Sequence, residues 1–198
     1  MDRRVNRGQG TRQVIIDAAA RLFAEHGFQA VSIEAVLQAC GISRGALYHH
    51  FAGKDALFTA VLEAAELHVA EVVAAAAGTV ADPIQALRAG CSAWLRLAAD
   101  DPTVRRIVLT DAPSVVGWER WREIDSRHSL GLLKAALGAA AAQGLLDADK
   151  TNLYAHVLLA MLVELALLVA RASDAQELIA NGEEVIGQVL DGLMRRQR

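Results

Sequence analysis

Apolar residues recur at intervals of three and four positions along most of the chain. In the first long stretch they stand at Ile15, Ala18, Ala19, Leu22 and Phe23, the spacing that places side chains on one face of an α-helix. No stretch alternates apolar and polar residues convincingly, as a half-buried strand does. The pattern therefore predicts an all-α protein.

Capping residues divide this pattern into about nine helices. Ser, Thr and Asp cap helix starts by accepting a backbone hydrogen bond, and proline fits the first helical turn. The expected starts include Thr11, Ser32, Ser43, Asp82-Pro83, Asp101-Pro102 and Ser114, and the expected ends include Gly27, Gly41 and Gly144. The predicted helices cover 11–27, 32–41, 43–50, 54–77, the stretches that follow the two Asp-Pro pairs, 114–144, 153–170 and 174–196.

The longest apolar stretch, residues 153–170, approaches the length of a membrane span. It contains His156 and Glu164, and a carboxylate in the middle of a bilayer is costly. We therefore expect a helix buried on nearly all sides, in a core or a subunit interface, and no membrane partner. Residues 1–10 are polar with no apolar run after them, so no secretory signal is expected.

Composition and charge suggest a small head on a larger body. Of 198 residues, 54 % are hydrophobic and 22 % charged, as in a folded globular protein. We predict a domain at residues 1–53, with residues 1–10 as a flexible basic arm, and a helical domain at residues 54–198. Residues 1–60 hold seven basic and five acidic residues, whereas the remainder holds 13 and 18. This balance is compatible with an anionic partner for the head.

Residues 32–51 have the pattern of a helix-turn-helix. The apolar faces of its two short helices are formed by Ile33, Val36, Leu37, Leu47 and Phe51. Gly41 permits the backbone conformation that a tight turn requires, and Ile42 is expected to fill the angle between the helices.

The outward face of the second short helix carries residue types that suit the major groove of DNA. An arginine pairs with guanine, an alanine meets a thymine methyl group, and Tyr and His reach phosphates or base edges. The residues of this face are Arg44, Gly45, Ala46, Tyr48, His49 and His50. A helix start at Lys54, and another at Thr11 and Arg12, can each bind a phosphate. On pattern alone, a unit that never touches DNA is an equally good interpretation.

A family resemblance separates these two interpretations. Residues 11–58 resemble the DNA-binding head of the TetR/AcrR family of transcriptional regulators. The matching residues are Thr11, Ala19, Leu22, Phe23, Gly27, Phe28, Val31, Ser32, Ile33, Val36, Gly41, Ile42, Ser43, Gly45, Leu47, Tyr48, His50, Phe51, Lys54, Asp55, Leu57 and Phe58. Leu37 and Cys40 stand where the family commonly has alanine, and both are expected to face the core of the head.

The resemblance implies roles for individual residues. By it, Tyr48, His49 and Lys54 contact phosphates, while Arg44, Gly45 and Ala46 meet bases. The expected DNA-binding set is Thr11, Arg12, Ser32, Ser43, Arg44, Gly45, Ala46, Tyr48, His49, His50 and Lys54. Members of the family are homodimers on near-palindromic operators, often repressors that a small molecule releases. A two-fold dimer also suits the physics, because one short recognition helix reads few base pairs.

The last two long helices are the expected dimer interface. Their apolar residues repeat with a period close to 3.6, and Gly182, Gly187 and Gly192 would let a neighbouring helix approach. The interface residues expected from this pattern are Leu158, Leu162, Leu165, Ile186, Val189, Leu190 and Leu193. The alternative is that these helices pack only within one subunit.

A cavity lined by aromatic residues and a few polar groups would suit a small organic effector. The candidates are Trp94, Trp118, Trp121, Arg122, His128, His156 and Glu164. Each has a purely structural interpretation as well: tryptophans often anchor cores, and Glu164 can pair with Arg96 or Arg171. If the effector exists, the helix that starts at Lys54 would carry the signal from body to head by its tilt.

The sequence has no recognisable catalytic constellation. His49 and His50 are neighbours, so on a helix they point about 100° apart and cannot jointly hold a metal. Neither a Gly-rich phosphate loop nor a Ser/His/Asp arrangement is found. Cys40 and Cys91 are too few for a disulfide framework, which indicates a reducing cytoplasm. We expect both to be small buried apolar residues, and redox sensing is the alternative. We predict no enzyme, no cofactor and no metal.

Three functions therefore remain from the sequence. The first is a ligand-responsive transcriptional repressor with DNA, itself and a small effector as partners. The second is a DNA-binding regulator of the same build without an effector. The third is a helical interaction or ligand-carrier protein with a vestigial head, against which the retained Arg44, Tyr48 and Lys54 argue.

Overall fold

The computed structural model describes the backbone of residues 3–194 and the side chains of residues 10–194. Within these residues the chain forms nine continuous helical stretches and no strand. The prediction of an all-α fold is confirmed. The helices are α1 (Arg3–His26), α2 (Ile33–Cys40), α3 (Arg44–His50), α4 (Lys54–Gly78), α5 (Pro83–Asp100), α6 (Ala112–Val115), α7 (Trp118–Asp125), α8 (Gly131–Ala142), α9 (Thr151–Arg171) and α10 (Ala175–Leu193).

Three shorter segments continue these helices with other hydrogen-bond patterns. A π-helical segment, Val104–Asp111, runs into α6, and a second, Ser126–Leu130, joins α7 to α8. A single 3₁₀ turn, Ala148–Lys150, precedes α9. A π-helical segment inside an α-helix holds more residues per turn than its neighbours, so it re-aims the side chains that follow it.

The chain divides into two compact units. Unit 1 comprises residues 1–65 and 102–121, and unit 2 comprises residues 66–101 and 122–198. The predicted boundary at residues 53 and 54 therefore does not coincide with the division between the units. The physical reason is that α4 begins inside unit 1, and that residues 102–121 belong to the same unit and pack against α1 through residues 104–111.

The core of unit 1 is built around three aromatic rings. Phe23, Phe28 and Phe58 are buried and meet pairwise at centroid distances of 5.0 to 5.8 Å, in tilted and edge-to-face geometries that aromatic pairs prefer. Gly27 ends α1 with φ 78° and Gly41 follows α2 with φ 66°. Both glycines were predicted as stops, and the left-handed backbone explains why they are needed.

Asp111 ties residues 102–121 to the loop between α1 and α2. One carboxylate oxygen of Asp111 accepts a hydrogen bond from the backbone N–H of Phe28 at 2.8 Å and from Nε of Arg106 at 3.2 Å. Asp111 is only 9 % exposed. The guanidinium of Arg106 lies where a Cβ on Gly27 would be, 2.0 Å from its Nη2. Glycine at position 27 thus serves both the helix end and this close approach.

Unit 2 is organised around α5, which packs against α8, α9 and α10. Leu95 of α5 and Leu158 of α9 are fully buried in the shared core. Gly182 and Gly187 of α10 face Leu95 and Arg88 of α5, at 3.1 Å and 2.2 Å from their ideal Cβ positions. The helix that these glycines admit is therefore the chain's own α5.

Polar contacts also join α5 to α10. Arg88 donates to the carboxylate of Asp191 at 2.5 Å and to the carbonyl oxygen of Gly187 at 3.2 Å. Glu183 accepts from the hydroxyl of Ser92 and from Arg96. Arg96, offered as a partner for Glu164, pairs instead with Glu183.

Local capping predictions succeed in part. Ser32, Ser43, Asp82 and Asp174 each cap a helix through a side-chain oxygen that accepts a backbone N–H. In contrast, Thr11 lies inside α1, because the helix begins at Arg3. The prediction of a flexible arm is therefore wrong for the backbone of residues 3–10, while residues 1 and 2 lie outside the described part.

Two other predicted helix boundaries, one start and one end, need correction. Ser114 does not cap the helix of Trp118: it lies in α6 and its hydroxyl donates to the carbonyl oxygen of Asp111 at 2.9 Å. The chain turns instead at Gly117, whose φ is 83°. α10 ends at Leu193, and Arg196, the predicted end, lies outside the described residues.

α9 passes a test of length and hydropathy for a membrane span, over Ala148–Arg171 with a mean hydropathy of 2.2. Such a helix also occurs in the core of soluble proteins, and one face of α9 is buried in unit 2. Its other face exposes Leu153, Val157 and Leu168. Within one subunit α9 is thus buried on one side. The prediction that it is buried on nearly all sides, in a core or a subunit interface, stays a prediction for the other side.

Replacing Asp111 with alanine tests the tie between the head and residues 102–121. Asp111→Ala leaves the buried N–H of Phe28 without its partner, so we expect a loss of about 1–3 kcal/mol in the free energy of unfolding. Urea unfolding at one protein concentration, followed by circular dichroism, measures it. The matched control is Glu123→Ala, which removes an exposed ion pair with Arg127 at a cost of about 0.5 kcal/mol or less. Equal losses in both variants would contradict the role of Asp111.

Candidate nucleic-acid interface and apolar cavity

The helix-turn-helix is built by two serine caps and one glycine. The hydroxyl oxygens of Ser32 and Ser43 accept from the backbone N–H groups of Ala35 and Ala46 at 3.1 and 3.3 Å. Gly41 makes the left-handed turn between α2 and α3. Val36 and Leu47 are buried below this turn, so the apolar face of each helix is held inward and the opposite faces stay outward.

The outward side of α3 carries the predicted base-reading residues. Arg44, Gly45 and Tyr48 are exposed, the last at 46 %, and His49 is exposed beside a half-buried His50. Ala46 is half-buried. Arginine, tyrosine and histidine side chains that reach solvent from one short helix can meet base edges or phosphates.

Arg44 is not free: it pairs with Glu34 of α2. A backbone hydrogen bond, and then the Arg44 guanidinium, hold the pKa of Glu34 below its ordinary value. Glu34 is therefore ionised at neutral pH and orients Arg44 from the first helix. The sequence reasoning did not single out Glu34, although its position ten residues before Arg44 across the turn is the signal that could have found it.

Two other predicted cations rest on aromatic rings of the head. The guanidinium carbon of Arg12 lies 5.2 Å from the centroid of Phe51, and Nζ of Lys54 lies 4.2 Å from the centroid of Phe28. Lys54 also donates to the carbonyl oxygen of Gln29 at 3.4 Å. These contacts hold both charges at the surface of the head. Thr11 is half-buried on α1.

Unit 2 contains a cavity of about 260 Å³, partly open to solvent, between α4, α5, α9 and the segment from Asp125 to Ala136. Its wall is mostly aliphatic, with Trp94 of α5 as the aromatic member. The indole N–H of Trp94 donates to the carbonyl oxygen of Leu162 at 3.0 Å, so the ring is fixed in place. A concave apolar wall with few polar groups is typical of a small-molecule site.

The polar part of the cavity wall is formed by Asp125 and Ser129. Asp125 is 6 % exposed and accepts a hydrogen bond from Nη1 of Arg122 at 2.8 Å. Burial raises the pKa of Asp125, and Arg122, Ser129 and His128 oppose that rise. A carboxylate so placed is a hydrogen-bond acceptor at one spot of an otherwise apolar surface.

Most of the residues predicted for the effector lie elsewhere. Of the seven, Trp94 alone lines the cavity. Trp118 and Trp121 contact each other in unit 1 with ring centroids 4.9 Å apart and ring planes tilted by 55°, Trp118 being exposed and Trp121 buried. His156 and Glu164 are on the exposed face of α9.

The remaining two predicted effector residues are adjacent to the cavity. Arg122 supports Asp125, and His128 is half-buried on the same helical stretch. The residues that sequence reasoning missed are Cys91, Asp125 and Ser129, together with the alanines of α4 and α8. Small residues give no sequence signal for a cavity, because the empty space depends on what packs opposite them.

The predicted dimer residues divide by burial. Leu158, Leu162, Ile186 and Leu190 are buried in the core of unit 2, while Leu165, Val189 and Leu193 are half-buried against it. A side chain buried in its own subunit cannot face a second copy, so the first four are corrected. The exposed apolar residues of the same helices are Leu153, Val157, Leu168 and Val185.

The two cysteines have different surroundings. Cys40, expected in the core of the head, is half-buried, and its thiol lies 2.9 Å from the carbonyl oxygen of Val36. Cys91 is buried in the cavity wall, and burial raises the pKa of its thiol to about 12. Cys91 is thus held as a thiol and not as the reactive thiolate.

Two family models match the chain. Residues 15–61 match a model described as bacterial regulatory proteins, tetR family, and residues 84–193 match one described as tetracyclin repressor-like, C-terminal domain. A TetR-family transcriptional regulator from Pectobacterium atrosepticum has a similar structure, with a TM-score of 0.82, 27 % identity and coverage of 100 % of both chains.

Curated relatives match over the N-terminal part. The transcriptional regulator UidR of Escherichia coli is 44 % identical over 62 residues, 31 % of this chain and 32 % of that protein. The transcriptional repressor AcnR of Corynebacterium glutamicum is 43 % identical over 63 residues, 32 % and 34 % of the two chains. The match thus spans about a third of each relative. All three relatives are transcriptional regulators, which agrees with the prediction that the chain is not an enzyme.

The two thiols provide a direct test of the cavity wall. At pH 8 a thiol with a pKa of about 12 is ionised to about one part in 10⁴, and alkylation requires the thiolate. We expect iodoacetamide to modify Cys40 more than tenfold faster than Cys91, as followed by mass spectrometry of peptides. In the urea-unfolded chain, the control, both should react at similar rates. Similar rates in the folded protein would contradict the burial of Cys91.

Proposed function

We propose that this chain, which belongs to the TetR family of bacterial regulatory proteins, is a transcriptional regulator. It binds operator DNA as a homodimer and leaves the DNA when a small molecule binds. The observation that carries this proposal is the exposed row of Arg44, Tyr48 and His49 on a rigidly capped α3. The mode of action we favour is repression.

DNA recognition is assigned to α3 and its flanks. Arg44 reads a base edge in the major groove, while Gly45 and Ala46 allow close approach of the helix. Tyr48, His49 and Lys54 contact phosphates, and Arg12, Thr11, Ser32, Ser43 and His50 complete the set around them. Glu34 keeps Arg44 extended from the α2 side until DNA replaces it.

The homodimer is assigned to α9 and α10. The exposed residues Leu153, Val157 and Leu168 recur along one face of α9, and Val185 is exposed on α10. Large exposed apolar side chains on neighbouring helices are typical of a covered surface. A two-fold pairing of this face gives two heads per molecule, which a near-palindromic operator requires.

Release from DNA is assigned to the cavity of unit 2. A ligand shifts an equilibrium only by its difference in affinity for the two states. We infer that the effector favours the state in which the two heads do not match the operator. α4 begins in unit 1 and its residues 69–77 line the cavity, so it is the element through which the signal passes. The protein acts in the cytoplasm, where its operator is.

Selection from a random duplex library tests DNA recognition. We expect the purified wild-type protein to enrich a near-palindromic sequence at physiological salt, with binding that weakens as salt rises. Arg44→Ala should cost about 1–3 kcal/mol in affinity for that sequence. Competition binding with the enriched and a scrambled duplex measures it.

The matched control for Arg44 is Arg127, another exposed arginine in a pair with a glutamate. Arg127→Ala should leave the affinity unchanged. If no sequence is enriched, or if both variants bind alike, DNA recognition by α3 is wrong.

Sedimentation equilibrium tests the dimer face. Val157→Arg places a charge on the exposed face of α9. We therefore expect the dissociation constant of the dimer to rise at least tenfold, which corresponds to about 1.4 kcal/mol. Val14→Arg, at an equally exposed valine of α1, is the control and should not change the association. A Val157→Arg protein that remains as dimeric as the wild type would exclude this face.

A further inference from the structure

We propose that the effector of the unit 2 cavity is a neutral, largely apolar molecule with one hydroxyl group that donates a hydrogen bond to Asp125. The inference rests on the proposed function, since it names the chemical class of the effector. It depends on three features of the cavity: its size, the nature of its wall and the state of its one carboxylate.

The size of the cavity sets the scale of the ligand. An apolar cavity of about 150 Å³ already binds a benzene-sized molecule, and this cavity holds about 260 Å³. A single ring with a short alkyl chain fits that volume. The room exists because six alanines contribute to the wall, namely Ala70, Ala74, Ala77, Ala86, Ala135 and Ala136.

The wall selects an apolar body. Aliphatic side chains from four helical segments surround the space, and the indole N–H of Trp94 is already used by the carbonyl oxygen of Leu162. The thiol of Cys91 stays protonated because it is buried. A ligand with polar groups along its length would lose water there and find no partner.

Asp125 selects the polar group. A carboxylate can accept about four hydrogen bonds, and here it accepts from Arg122 and interacts with Ser129. Acceptor positions therefore remain for a ligand that enters from the cavity side. A hydroxyl donor satisfies one of them with a charge-assisted bond.

Charge decides between a neutral ligand and an ionic one. The ion pair with Arg122 already balances the carboxylate, and the other titratable group that acts on Asp125 is His128, next to the same pair. A cationic ligand would enter an apolar space without an unpaired anion to meet, so its loss of hydration is not repaid. An anionic ligand would likewise find no cation to meet, because Arg122 is already engaged by Asp125, and its loss of hydration is not repaid.

Four probes that share the same butylphenyl group distinguish a hydroxyl-bearing ligand from an anionic, a cationic and a purely apolar one. They are 4-butylphenol, 4-butylbenzoate, 4-butylbenzylammonium and butylbenzene, and their binding to the full-length wild-type protein is measured by calorimetry. We expect 4-butylphenol to bind at least tenfold tighter than each of the other three. Equal or tighter binding of any of these three, or no binding of 4-butylphenol, would overturn the proposal.

Variants locate the bound probe. Asp125→Asn keeps the shape but takes the counter-charge away from Arg122, so an anion gains a partner there and the preference for 4-butylphenol over 4-butylbenzoate should fall below threefold. Ala136→Phe and Ala135→Phe fill the cavity and should abolish binding. Their matched control is Ala139→Phe, an exposed alanine of α8 that does not line the cavity, and it should bind like the wild type. Circular dichroism melting identifies any variant that does not fold. Because Ala135 is already exposed, Ala135→Phe is the substitution that disturbs folding less than Ala136→Phe.

Operator binding, measured in parallel, keeps this inference separate from the proposed function. If the protein binds its selected operator but not 4-butylphenol, the proposed regulatory function stands and the proposed class of effector is wrong. If the protein binds 4-butylphenol as expected but enriches no operator, the proposed specificity of the cavity stands and the proposed regulatory function is wrong.

Discussion

The hydrogen bond from the backbone of Phe28 to the carboxylate of Asp111 joins two parts of the chain 83 residues apart. Phe28 follows the glycine that ends α1, so its N–H has no partner within a helix. A buried N–H without an acceptor is costly, and Asp111 supplies the acceptor while Arg106 stabilises its charge. Because Phe28 also belongs to the aromatic core of unit 1, the segment that leads into the helix-turn-helix is fixed by a residue far along the chain.

Small residues have opposite effects on the two sides of α5 in unit 2. Towards α10, Gly182 and Gly187 allow Leu95 and Arg88 to approach the backbone closely. Towards α4 and α8, alanines line the wall of a cavity. The same helix is therefore packed tightly on one side and loosely on the other. Whether a small residue closes or opens a contact depends on the length of the side chain that faces it.

The sequence predicts those features that depend on local chemistry. Glycine after an apolar stripe predicts the helix ends at Gly27 and Gly41, where the structure has a left-handed backbone. The position of Ser43 before α3 likewise predicts its cap. Periodicity also found the apolar stripes of α9 and α10. It could not tell which side of a stripe the chain covers with its own helices, so Leu158 and Ile186 were assigned to a dimer although they are buried within unit 2.

The cavity was the least predictable feature. Its polar residue, Asp125, looks like an ordinary solvent-exposed acid in the sequence, and only the fold buries it beside Arg122. The tryptophans, which drew attention by their size, fell mostly in unit 1. Large residues usually fill space, so they mark a core more often than an opening in it.

The π-helical segment Val104–Asp111 has a consequence for how this chain can change in evolution. Asp111 is the last residue of that segment, and its direction depends on how many residues are wound into the turns before it. Removing one residue while the π-helical winding is kept would rotate Asp111 around the helix axis, by somewhat less than the about 100° per residue of an α-helix, away from the backbone of Phe28. The exposed positions of the segment, such as Thr110, can vary in identity, but the number of residues between Pro102 and Asp111 cannot. Homologous chains that keep this tie should therefore differ here by substitution and not by insertion or deletion.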